Sequence, residues 1–83
     1  MDKNDIDRIK RDLETKQHHL LQLNHQFYSL GLNDRGSKEF ENHINDKIDE
    51  YFEYVKMNKD IIEKSATLSG IYKSFNNSYF ADF

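Results

Sequence analysis

The sequence predicts an all-α fold, an antiparallel two-helix hairpin of coiled-coil type, on three observations. Proline is absent and only three glycines occur in 83 residues, so little in the chain interrupts a helix. Apolar residues recur three and four apart along two long segments. Two of the three glycines, Gly31 and Gly36, cluster in the one stretch separating those segments, "LGLNDRGSKEF", residues 30–40.

In the first segment Ile6, Ile9, Leu13, Lys16, Leu20, Leu23, Phe27 and Leu30 keep heptad spacing, with Lys16 as the single polar member. Leu21 and Tyr28 widen the stripe. Asp2, Asp5 and Asp7 sit where the positive end of the helix dipole would be. Helix one is therefore expected over about residues 3–30 and a turn over 31–37. Gly31 is placed to close the helix, Asn33, Asp34 and Gly36 favour the turn, and Ser37 is suited to cap the second helix.

Helix two is expected over about 38–69. Phe40, Ile44, Ile48, Tyr51, Val55, Asn58 and Ile62 form one stripe, and Tyr54, Ile61, Leu68 and Phe75 a second beside it. Phe52, Ile71, Tyr72 and Tyr79 broaden the face further. "SATLSGIY" is the weak point: a break at Gly70 leaves a short third helix after it, and without one the helix continues to about residue 80. Eight of the eleven aromatics lie at or beyond residue 51, so this half carries more apolar width than one helix can cover. The surplus has to meet another chain, a folded-back tail or water.

Composition narrows the function. Leu, Ile, Val and Phe supply 21 of 83 residues, just above the level of disordered chains, so one small domain folds without much margin. Cysteine is absent, which removes disulfides and thiolate metal sites and suits a cytoplasmic setting. The net charge of −3, with both signs interleaved, gives no basic patch for nucleic acid. No apolar run reaches membrane-spanning length, and "MDKNDIDRIK" lacks the apolar core of a signal peptide, so any export would use a route without a cleavable signal.

Catalytic and metal readings find little support. His18 and His19 are adjacent and cannot share a helix face. His25 and His43 could lie at similar height across the hairpin, near Glu39 or Asp46, but four zinc ligands do not assemble at any recognised spacing. Acid pairs such as Asp46 and Glu50 read as a solvated helix face, because a two-helix hairpin offers no cleft to push their pKa values apart. No phosphate loop, nucleophile elbow or dinucleotide fingerprint is present, and no cofactor is expected. Lys16 and Asn58, polar members of the two stripes, either set register or sit at the seam's edge.

The bend itself, "LNDRGSKEF", resembles a degenerate form of the Trp-x-Gly turn of small helical-hairpin proteins in bacterial type VII secretion. Leu32 stands at the Trp position, Asp34 at the Gly, Gly36 at the small residue, and Phe40 matches the aromatic. "SYFADF" holds Tyr79 and Asp82 one residue closer than that group's export signal. The resemblance is to the accessory partners, and it implies a protein that binds the helical domain of a larger secreted substrate and completes a helical bundle with it. "SKEFE", Ser37 to Glu41, is similar to the motif opening the second helix of small sporulation phosphatases that act on response-regulator aspartyl phosphate; there Glu41 would act at the phosphoryl group and Ser37 would cap. The first reading is favoured: a non-enzymatic protein-interaction module, with Tyr51, Val55, Ile62, Leu68, Tyr72, Phe75 and Tyr79 as its partner-binding face, Leu32, Asp34, Gly36 and Phe40 as its turn motif, and a helical protein as its partner. A homodimeric four-helix bundle is the variant in which the partner is a second copy.

Overall fold

The computed structural model describes residues 3–29 and 35–81, with the side chains of all but 35–37. Four helices follow one another: α1 (Lys3–Ser29), α2 (Arg35–Met57), α3 (Lys59–Lys64) and α4 (Ala66–Tyr79). The fold class is the all-α one expected. α1 and α2 pair antiparallel, as shown by Asp12 meeting Tyr54, Gln17 meeting Tyr51 and Phe27 meeting Phe40. α4 then turns back beside α1, so that Phe75 and Tyr72 face Tyr51 from the other side. The result is an up-down-up three-helix rod with principal extents of 48 × 19 × 16 Å. Its radius of gyration, 14.5 Å, exceeds the roughly 12 Å of a compact globule this long.

Of the three fates open to the surplus apolar face, the chain takes the folded-back tail. Tyr51 and Leu68 are fully buried, and Ile62, Phe75 and Val55 nearly so, against Ile9, Leu13 and Leu20 of α1. Five of the seven residues expected to bind a partner are therefore the core of the monomer, while Tyr72 and Tyr79 are half-buried at its edge. Each fully buried large apolar side chain contributes about 1.5–3 kcal/mol, so Leu68 and Phe75 together favour docking of α4 over an exposed continuous helix.

The position of the corner corrects the sequence-based boundaries. The expected second helix, 38–69, is divided at Asn58 and ends at Ser65, and Gly70 lies inside α4. At Asn58 the helix is only bent. The Asn58 N–H donates to the Tyr54 carbonyl at 3.1 Å and the Ile62 N–H to the Asn58 carbonyl at 3.0 Å, while the Asn58 side-chain amide donates to that same Tyr54 carbonyl. Asn58 thus bonds its own helix. Ser65 is the true corner. Its backbone is extended (φ −102°, ψ 118°), and its hydroxyl accepts from the Leu68 N–H at 3.2 Å, capping α4. Ser is a strong N-cap, whereas Gly70 is exposed and a mid-helix glycine costs only about 1 kcal/mol. α2 likewise starts at Arg35, which puts Ser37 within the first turn and not at the cap.

This geometry makes a paired expectation. Ser65→Ala should lower stability by about 1 kcal/mol through loss of the cap. Gly70→Ala should raise it by about 0.5–1 kcal/mol, since a Cβ there meets nothing within 4 Å and the helix gains propensity. Urea midpoints of the two variants check both signs; a chain broken at Gly70 would give the opposite pattern.

Candidate functional site

A buried polar chain joins the three long helices. The Gln17 side-chain amide of α1 donates to the Tyr51 hydroxyl of α2 at 3.2 Å, and that hydroxyl donates to Asn76 Oδ1 of α4 at 3.5 Å. Burial pushes the Tyr51 phenol up to about 12; the Gln17 hydrogen bond opposes the rise and the nearby Tyr72 phenol adds to it. One turn away Tyr54 donates to the Asp12 carboxylate at 2.7 Å. Burial raises its pKa, as do the hydrogen bond and negative charge of Asp12, against a smaller opposing effect of Arg8. The Lys16 ammonium lies 5.1 Å from the Tyr54 ring centroid. Lys16 is half-buried and its charge rests on an aromatic face.

These groups hold the helices together. Tyr51 is fully buried and Gln17 nearly so. Among the described residues no three His, Asp or Glu side chains converge as metal ligands. His18, His19, His25 and His43 are all exposed, and His43 lies edge-on to the Phe40 ring, 6.3 Å between centroids. Glu41, the acid of the phosphatase-like motif, is exposed on α2. Of the turn motif, Leu32 and Asp34 lie outside the described residues and Gly36 falls in the first turn of α2. Phe40 stacks on Phe27 of α1, 6.0 Å between centroids and 17° between planes, clamping the helices near the bend. Asp82 also lies outside the described residues.

What the rod leaves open is a long groove between α1 and α4. Along α1 its wall follows heptad spacing: Lys10, Glu14, Gln17, Leu21, Asn24 and Tyr28. Along α4 its floor is built from small residues three or four apart, Thr67, Gly70, Ser74 and Ser78. Eighteen residues of α1 set a length of roughly 27 Å, or about five helical turns. Leu21 and Tyr28 project into this space and remain 51% and 66% exposed. Tyr79 closes one end; burial raises its pKa first, with a smaller rise from Tyr28.

The sequence held part of this site. Leu21 and Tyr28 stand out as members that widen the first stripe. The α4 floor was concealed, because Thr67 and Gly70 read as helix-weakening residues when their common face is unknown. No described helix is long and apolar enough to cross a membrane. No protein-family model matches the chain, and no curated protein and no solved structure matches it either.

Proposed function

We propose that the protein is a non-enzymatic binding module whose α1/α4 groove takes one amphipathic helix of a partner protein, converting the three-helix rod into a four-helix bundle. The observation that carries this reading is the exposure of Leu21 and Tyr28 above a floor of small residues. Large apolar groups held in water beside such a floor are what helix docking consumes: the knobs lie on one wall, and the opposite wall lets a backbone approach closely. The groove is long enough for an ordinary helix of about 14–18 residues.

The hairpin plan, the absence of cysteine and the turn stretch ending in Phe40 support placing the partner in a type VII secretion setting, as the helical region of a larger exported substrate. The Phe27–Phe40 stack supports a structural role for that last motif position. The partner-binding surface is then the outward wall of α1 with α4, and Tyr51, Val55, Ile62, Leu68 and Phe75 serve it indirectly by fixing α4 in place.

A photo-crosslinking residue at position 21 tests the reading in the native host. The expected product is a crosslink to a protein with a helical segment, lost in a Tyr28→Asp background that keeps wild-type circular dichroism. Leu21→Asp with Tyr28→Asp should weaken the isolated complex roughly ten- to hundredfold, in line with removal of central apolar anchors. Crosslinks only to a second copy of the chain identify the groove as a homodimer interface. No crosslink, or a complex indifferent to both substitutions, removes the groove from the binding surface.

A further inference from the structure

On the face of the rod away from that groove, α2, α3 and α4 meet around a second space of different character. Each of the three helices contributes three residues to its lining. Val55 and Ile62, both nearly buried, form its floor, and Phe52 and Tyr72 its walls. Its volume of about 360 Å³ lies at the lower end of the range for small-molecule sites, roughly 300–1,000 Å³. Three lysines stand at the rim, one from each helix: Lys56 of α2, Lys59 of α3 and Lys73 of α4. The single acidic residue lining it, Glu63, meets Lys59 at a loose 3.9 Å. Among the described residues Lys56 and Lys73 have no ion-pair partner. A chain with a net charge of −3 thus concentrates positive charge around an apolar opening.

We propose that this cavity binds a single-chain amphipathic carboxylate of medium length, with the alkyl chain against Val55, Ile62, Phe52 and Tyr72 and the carboxylate among Lys56, Lys59 and Lys73. At about 360 Å³ the cavity is smaller than one turn of a helix with its side chains, which favours a single flexible chain. An apolar floor draws the tail out of water, and the lysine rim selects an anionic head over a neutral one. This site is separate from the α1/α4 groove and stands whether or not that groove binds a helix.

Decanoate, held below its micellar concentration, is the probe. Titration of the full chain followed by methyl NMR is expected to give saturable one-to-one shifts of the Val55 and Ile62 methyl groups. Each methylene removed should weaken binding about fourfold, so octanoate should bind more than roughly tenfold less well. Lys56→Gln, Lys59→Gln and Lys73→Gln together should weaken decanoate about tenfold or more and leave decanol unchanged, since each exposed ionic contact contributes up to about fivefold. The three substituted positions are exposed, so the fold should persist, and the wild-type chain with decanoate against decanol gives the same comparison without any substitution. Equal affinity for decanoate and decanol, no saturable shift, shifts confined to the Leu21 methyl groups, or binding only to anionic vesicles would each overturn the assignment.

Discussion

Tyr51→Ala is expected to destabilise the protein by about 3–5 kcal/mol, the range for removing a large buried aromatic. A domain of this length holds only about 4–12 kcal/mol in total, so the variant should lose from about a quarter to all of its stability. Two losses combine. The ring is fully buried and meets Phe52 and Phe75 edge-on, each at 5.4 Å between centroids, and Tyr72 at 6.3 Å. Its hydroxyl is the only link in the buried chain that touches Gln17 and Asn76 together. Removing it leaves the Gln17 amide buried without that partner, which costs about 1–3 kcal/mol by itself. Tyr51→Phe separates the two contributions: it keeps the ring contacts and should cost about 1–3 kcal/mol. Urea unfolding followed at 222 nm measures both. An alanine variant within about 1 kcal/mol of wild type would show that α4 is not docked on α1 and α2.

The stripes legible in the sequence are those whose partners are themselves periodic. Ile9, Leu13, Leu20 and Leu23 could be assigned to the interior because they repeat at helical spacing, and the structure buries all four. Tyr51, Val55, Ile62, Leu68 and Phe75 were legible as apolar surface in need of cover. The segment that covers them was not, because periodicity states that a face is apolar without saying which segment meets it. Gln17 shows the same limit. A strict heptad puts Lys16 in the seam, yet a straight helix at about 3.6 residues per turn drifts from a 3.5-residue repeat. Gln17 therefore rotates inward and Lys16 outward over Tyr54, a choice settled by a hydroxyl 34 residues away. The corner was misplaced for a related reason. Gly70 is the worse helix former, but a one-residue corner needs a cap, and Ser65 supplies it while setting Leu68 and Phe75 on the buried side of α4.

Stability should fall steeply above about pH 10, and Tyr51 should account for much of the fall. Its phenol is raised from 10.0 to about 12 in the folded chain, so the folded state retains its proton where the unfolded chain has released it. A raised pKa contributes stability that is fully present below about pH 10 and is lost as the pH climbs through about 12. A tenfold difference in proton affinity between the two states is equivalent to about 1.36 kcal/mol, so the loss attributable to Tyr51 approaches roughly 2–3 kcal/mol, a large share of the total for so small a domain. Tyr54 acts in the same direction, because burial and the Asp12 carboxylate oppose its ionisation; being partly exposed and screened by water, it contributes less than Tyr51. The charged groups around the pair are Asp12, Arg8 and Lys16 on α1, and Tyr72 faces Tyr51 from α4. Urea midpoints between about pH 8 and 11.5, with tyrosinate absorbance at 295 nm alongside, read the effect, and Tyr51→Phe isolates it: that variant should start less stable at the low end of the range and lose less above about pH 10. All five tyrosines ionising together near pH 10, with the wild-type and Tyr51→Phe curves running parallel, would mean that the Gln17–Tyr51–Asn76 chain is open to water and that the third long helix does not seal the rod.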